Sequence, residues 1–154
     1  MSGQAVIDSN VLVALVDSRD KWHERARALH AALKTEGVSL VYFDCVLNET
    51  ISVLARRAEE QKRSAEFSRL MDELLRRVPE DMVTWISVRT QRLYGNIVEL
   101  VRNSGGILNF HDALIALSCQ ELGIPAIVSF DEDLDHIAWL ARIVTPEDVR
   151  QGFA

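Results

Sequence analysis

At 154 residues, with 48% hydrophobic and 26% charged residues and only 7 Gly and 3 Pro, the chain can bury a core as one domain over 1–154 and lacks a disordered or fibrous composition. A formal net charge of −6 argues against a protein that coats nucleic acid non-specifically, because that affinity comes from Lys and Arg neutralising phosphates. The longest apolar runs, such as "VLVALV", are too short to span a bilayer, and the N-terminus lacks the basic start of an export signal, so a cytoplasmic protein with no membrane partner is expected.

In chain order, "QAVIDS" reads as a short strand that ends in an acid, with a helix beginning near Asn10. "DKWHERARALHAALKTEG" sets Trp22, Ala26, Leu29 and Leu33 on one helical stripe and closes at Gly37. "VSLVYF" reads as a strand, and Asp44 as the N-cap of a helix with Leu47, Ile51, Leu54 and Ala58 facing inward. A charged helix over about residues 62–77 turns Phe67, Leu70, Leu74 and Val78 to the core and ends at Pro79. "DMVTWISV" is a weaker strand, and a helix through "RLYGNIVELVRNSGG" stops at paired glycines. "NFHDALIALSCQELG" is a helix capped by Asn109 and stopped by Gly123, "IPAIVSFDED" a strand ending in aspartates, and "ARIVTPED" a short final strand. Strands separated by helices imply right-handed crossovers and a three-layer α/β/α domain around a central parallel sheet.

Cys45 and Cys119 lie far apart and outside any C-x-x-C pair, which predicts two free buried thiols. Residues 56–102 carry ten Lys or Arg against eight Asp or Glu, while the remainder carries seven against fifteen, so the basic residues are concentrated in the middle of the chain. Solvated helix faces are their ordinary explanation. Neither G-x-x-x-x-G-K-[ST] nor G-x-G-x-x-G occurs, which removes support for ATP or dinucleotide binding. Asn10 stands two positions after Asp8, where an aspartyl-phosphate phosphatase needs a second aspartate, so Asp8 is disfavoured as a covalent nucleophile.

Ligands of open parallel sheets collect at the carboxyl ends of the strands. Asp8 lies at that end of the first strand and Asp131 and Asp133 at that end of the penultimate one, while Asp112 sits near the start of the intervening helix. Glu49 lies on a different helical side from Leu47, Ile51 and Leu54, pointing either to solvent or into a cleft. Each acid has an ordinary explanation as a cap, a solvated side chain or part of an acidic loop. Convergence on one sheet edge would make the carboxylates raise one another's pKa, a conflict that a hard divalent cation removes. Such a site suits phosphodiester hydrolysis.

"VIDSNVLVAL", "VLNETISVLARR" and "DALIALSCQELGIPAIVSFDEDL", in this order and spacing, resemble the PIN-domain ribonucleases, and among them the compact VapC-type toxins. The resemblance covers essentially the whole chain. It implies that Asp8, Glu49, Asp112 and Asp131 hold Mg²⁺ or Mn²⁺, with Asp133 able to share the fourth place and Asn10 and Ser129 supporting the site. It further implies endonucleolytic cleavage of RNA to a 5′-phosphate and a 3′-hydroxyl, homodimerisation, and an antitoxin protein whose C-terminal segment enters the cleft. Arg56, Arg57, Lys62 and Arg63, just beyond Glu49, would line the approach of RNA or antitoxin. His111 and His136 are expected as surface or packing residues, since a metal-activated water needs no histidine base. A non-cleaving PIN-like binding or scaffold module, and a PIN nuclease of RNA processing or DNA without an antitoxin, are the alternatives.

Overall fold

In the computed structural model, which describes residues 3–153, five strands form one sheet: β1 (Gln4–Ile7), β2 (Ser39–Phe43), β3 (Val83–Thr84), β4 (Ala126–Val128) and β5 (Ala141–Ile143). Their order is β3-β2-β1-β4-β5 and every neighbouring pair is parallel, which rules out tight hairpins and requires a crossover after each strand. Seven helices occupy the connections and the C-terminal end: α1 (Ser9–Val16), α2 (His23–Thr35), α3 (Asp44–Glu60), α4 (Ser64–Arg77), α5 (Thr90–Asn103), α6 (Phe110–Leu122) and α7 (Pro146–Phe153). α5 packs on α6, while α1 contacts α2, α3 and α4. The chain progresses from β1 to β3 in one direction and then crosses back to β4, which puts the two groups of helices on opposite faces in a three-layer α/β/α arrangement.

β1 is central, and its Ala5, Val6 and Ile7 are all 0% exposed, as expected of a parallel strand covered on both faces. The direction of winding reverses between β1 and β4, and such a switch point opens a crevice at the carboxyl ends of the strands. The Asp8 N–H donates to the Val128 carbonyl at 2.9 Å, carrying the β1–β4 pairing to the edge of this crevice. Among the described residues no helix is long and apolar enough to cross a membrane.

Most of the expected helices form, with some differences of phase and extent. Ala26, Leu29 and Leu33 are buried along α2, whereas Trp22 lies just before it and is half-buried. Gly37 has φ +67°, and the next N–H, that of Val38, closes the helix on Leu33 O at 2.9 Å. The buried face of α3 is Val46, Thr50, Leu54 and Ala58 instead of one running through Leu47 and Ile51. Thr50 fits this face because its hydroxyl donates to Val46 O at 2.7 Å. Asp44 is the first residue of α3, and its carboxylate accepts the Ile86 and Ser87 N–H groups at 2.7 and 3.3 Å instead of capping its own helix. The strand expected in "DMVTWISV" shrinks to two residues, Trp85 and Val88 being exposed. An additional helix, α7, follows β5: Thr145 and Asp148 make reciprocal capping bonds and Val149 is buried beneath them. Cys45 and Cys119 are free and buried, and burial pushes both thiols up to about 12.

A buried ion pair joins α1 to α4. Asp17, just past α1, receives both terminal nitrogens of Arg63 at 2.9 and 3.1 Å, and the Arg63 Nε donates to Glu66 at 2.7 Å. Lys62, in the left-handed region at φ +54°, turns the chain so that the Arg63 N–H reaches Ala58 O at 2.7 Å. The Arg63 and Asp17 side chains are only 7% and 2% exposed. Arg63→Ala strands the Asp17 carboxylate and is expected to cost about 3 kcal/mol of stability in urea unfolding.

Candidate active site

The site begins where β1 ends. Asp8 occupies the N-cap of α1, and its Oδ1 accepts the Ser9 N–H at 2.8 Å. Its Oδ2 accepts the Ser129 hydroxyl at 2.6 Å and the Asn10 amide at 3.4 Å. Ser129 Oγ in turn accepts from Asn10 Nδ2 at 3.1 Å and from the Asp131 N–H at 3.0 Å, while Asn10 Oδ1 accepts the Phe130 N–H at 3.0 Å. Asn10 and Ser129 therefore tie the residues after β1 to those after β4, around a carboxylate that is itself 8% exposed.

Besides Asp20, which Arg57 neutralises, three further acids reach the same cleft, of about 270 Å³, from three other segments. Glu49 enters from α3, where Glu49, Val53 and Arg57 recur every four residues on a stripe beside the buried face. The one-residue shift of the α3 core face turns that stripe toward the crevice, resolving the two orientations the sequence allowed. Asp112 enters from the first turn of α6: its Oδ2 accepts the Asn109 N–H while the Asn109 side chain accepts the Asp112 N–H, both at 2.9 Å. This capping box fixes the side chain at the mouth of the cleft, so the structural role and the site position coexist. Asp131 lines the cleft after β4, and its Oδ1 accepts the Asp133 N–H at 3.0 Å. Asp133 is exposed and outside the lining, although its charge still acts on Asp112.

The carboxylates are electrostatically in conflict. Burial pushes Asp8 up to about 6, with further upward contributions from Glu49 and Asp112 and partial relief from the Ser129 and Ser9 hydrogen bonds. Asp112 is raised by its own burial and by Asp131, Glu49 and Asp133, against the lowering effect of the Asn109 N–H. Among the described residues no three His, Cys, Asp or Glu side chains are packed closely enough to enclose a metal ion. A carboxylate-rich and open cleft suits a hard cation that keeps part of its water shell, and does not suit a closed protein cage.

The basic residues divide. Arg57 lines the cleft and is held by Asp20 at 2.8 Å and Asp17 at 3.6 Å. Arg56 and Lys62 are exposed. Arg63 does not reach the approach surface expected for it, because its guanidinium is buried against Asp17 and Glu66. His111 is exposed against Phe110, and the His136 Nδ1 lies 2.9 Å from Asp133 O in an exposed turn. Asp20, Lys21 and Trp22, in the loop between α1 and α2, complete one wall. Sequence periodicity does not find them as site residues, since Asp20 and Lys21 precede the helical stripe and Trp22 reads as its first core position, although the density of charge in "RDKWH" is a visible signal.

The family model of the PIN domain matches residues 5–140. The chain belongs to the PIN domain family. Solved structures of similar fold superpose over most of its length. The sarcin-ricin-loop-cleaving toxin VapC20 of Mycobacterium tuberculosis matches with TM-score 0.67 and 22% identity over 88% of this chain and 95% of its own. VapBC2 from Rickettsia felis, bound to a DNA fragment from its promoter, matches with TM-score 0.63 and 15% identity over 91% and 97%. PAE2754 from Pyrobaculum aerophilum matches with TM-score 0.51 and 15% identity over 92% and 83%. No curated protein matches the chain. At these identities the likeness of the solved structures is one of fold.

In this PIN domain, Ser129 is a shared partner of Asp8, Asn10 and Asp131, so Ser129→Ala leaves several buried groups underbonded. It is expected to lower unfolding stability by about 1–3 kcal/mol in urea titrations. Asp8 acts oppositely. Its folded pKa of about 6 lies above the ordinary value of 3.8, so the folded state holds an extra proton between them and metal-free stability falls as pH rises through that window. Metal-stripped Asp8→Asn is therefore expected to be more stable than wild type at neutral pH, by up to about 3 kcal/mol, with the gain vanishing below about pH 4.

Proposed function

We propose that this PIN domain is a Mg²⁺- or Mn²⁺-dependent endoribonuclease that hydrolyses RNA phosphodiester bonds as the toxin of a cytoplasmic toxin–antitoxin pair. The observation that carries the proposal is the meeting of Asp8, Glu49, Asp112 and Asp131, from four separate segments, in one cleft at the switch point of the sheet. Cleavage of the sarcin-ricin loop by VapC20 supports RNA cleavage, and the VapBC2 assembly supports an antitoxin partner. Homodimerisation is part of the same proposal.

Asp8, Glu49, Asp112 and Asp131 would hold the cation, with Asp133 outside the cleft lining. When bound, Mg²⁺ or Mn²⁺ would supply Lewis acidity toward a phosphate oxygen and lower the pKa of a water. The chain's own contribution is orientation. Ser9 and Ser129 aim the Asp8 oxygens, and the capping box commits one Asp112 oxygen while its other remains for the cleft. The Glu49 carboxylate makes no hydrogen bond among the described residues, which leaves both of its oxygens for the cation at the open side of the site. Arg56 and Lys62, exposed beyond Glu49, would face RNA or antitoxin.

The test is cleavage of a structured RNA pool by metal-stripped protein with Mg²⁺ or Mn²⁺ added back. Cutting is expected to return with metal, to fall at least about 100-fold in Asp8→Asn and Asp112→Asn, and to need a higher metal concentration as pH drops through about 6, where protons compete with the cation for Asp8. Cutting that needs no metal, or that survives both substitutions, overturns the proposal.

A further inference from the structure

Lys21 and Trp22, in one wall of the cleft, adjoin Phe130 and Arg25 just outside its lining, and the acidic chemistry leaves this aromatic and cationic group unused. The Trp22 and Phe130 ring centroids are 5.0 Å apart, with the rings inclined at 61°. Lys21 Nζ stands 4.6 Å from the Trp22 centroid, and the Arg25 guanidinium carbon stands 4.9 Å from the Phe130 centroid. Phe130 lies between Ser129 and Asp131, and its N–H is held by Asn10. The network that fixes Asp8 therefore also fixes the Phe130 backbone, against whose ring Trp22 packs. Lys21 and Trp22 line the same cleft as Asp8 and Glu49.

The charges around these rings are unusual for this chain. Twelve of its seventeen Lys and Arg side chains are ion-paired to carboxylates. Among the described residues Lys21 and Arg25 are not, and both are exposed. Both rings are half-buried, and a cation resting on such a ring without a carboxylate partner is held weakly and can move to a phosphate. Two such cations beside two π faces match single-stranded nucleic acid, in which bases stack on aromatics while the backbone follows positive charge. A basic protein segment would instead be repelled by Lys21 and Arg25.

We propose that Trp22, Phe130, Lys21 and Arg25 form a nucleotide-binding wall beside the acidic site, on which an unpaired RNA base stacks while the two cations hold its adjoining phosphates. The choice of RNA rests on the nuclease reading above. A duplex hides its base faces, so the wall selects loops, bulges and single strands. Trp22 is a substrate-binding residue in this proposal and takes no part in proton transfer.

The experiment measures binding of a labelled single-stranded oligoribonucleotide to metal-free Asp8→Asn protein, which serves as the uncut parent. Trp22→Leu is expected to weaken binding about tenfold and Trp22→Phe much less. Lys21→Ala and Arg25→Ala, both at exposed positions and so safe for folding, are each expected to reduce the slope of log affinity against log salt by about 0.7. In a scan of abasic nucleotides, one position is expected to weaken binding to the parent and to have no effect in Trp22→Leu. Unchanged affinity and salt slope across these variants, failure of the parent to bind, or effects limited to binding of a protein partner would each overturn the wall. RNA cleavage by the wild-type protein is assayed separately. Cleavage with unchanged oligonucleotide affinities removes the wall and leaves the nuclease; altered affinities without metal-dependent cleavage remove the nuclease and leave the wall.

Discussion

The contact on which the rest depends is the 2.6 Å hydrogen bond from the Ser129 hydroxyl to Asp8 Oδ2. It lies just past the carboxyl ends of β1 and β4, the neighbouring strands between which the winding of the sheet reverses. On its inner side are the fully buried Ile7 and Val128; on its outer side is the anionic cleft. Parallel strands cannot close with hairpins, so their ends are left for side chains to organise. Here one serine accepts from Asn10 and Asp131 while donating to Asp8, and the loop after β4 is thereby bound to the start of α1.

That arrangement holds a carboxylate in a place it would not choose on energetic grounds. Burial and the neighbouring acids lift the Asp8 pKa, and the apolar core must offset the cost of keeping it ionised. The opposite design governs the other end of α1, where Asp17 is also buried but is matched by a two-point Arg63 contact and by Arg57. Two buried aspartates nine residues apart thus have contrasting roles: one is neutralised by the fold, and the other is left with hydrogen-bond donors but no cationic side chain bonded to it. Charge left uncompensated by protein is the physical mark that separates a ligand-facing acid from a structural one.

The contrast also explains what could be read from the sequence. Asp8, Asp112 and Asp131 were legible because strand ends and helix starts are set by local signals, and the Asn109–Asp112 capping box is contained within four residues. The parallel three-layer fold followed from the alternation of elements. The facing of Glu49 did not follow, because Thr50 occupies a core position by bonding its hydroxyl internally while Ile51 is left 38% exposed. Arg63 looked like an approach residue because its partner Asp17 lies 46 positions away. The wall formed by Trp22 and Phe130 joins residues separated by most of the chain, so no periodicity reveals it. α7 had a readable start in "TPED" but is only eight residues long.

The two thiols have a consequence of their own. Cys119 is 0% exposed and Cys45 7%, and both are held far from thiolate formation at physiological pH. Alkylating reagents act on the thiolate, so they can modify these positions only when the surrounding helices separate. Cys45 lies in the first turn of α3 and Cys119 in the last turns of α6, the helices that bring Glu49 and Asp112 to the cleft. The rate of thiol labelling under native conditions is therefore a clock for the opening of these two helices, built into the chain without an added tag.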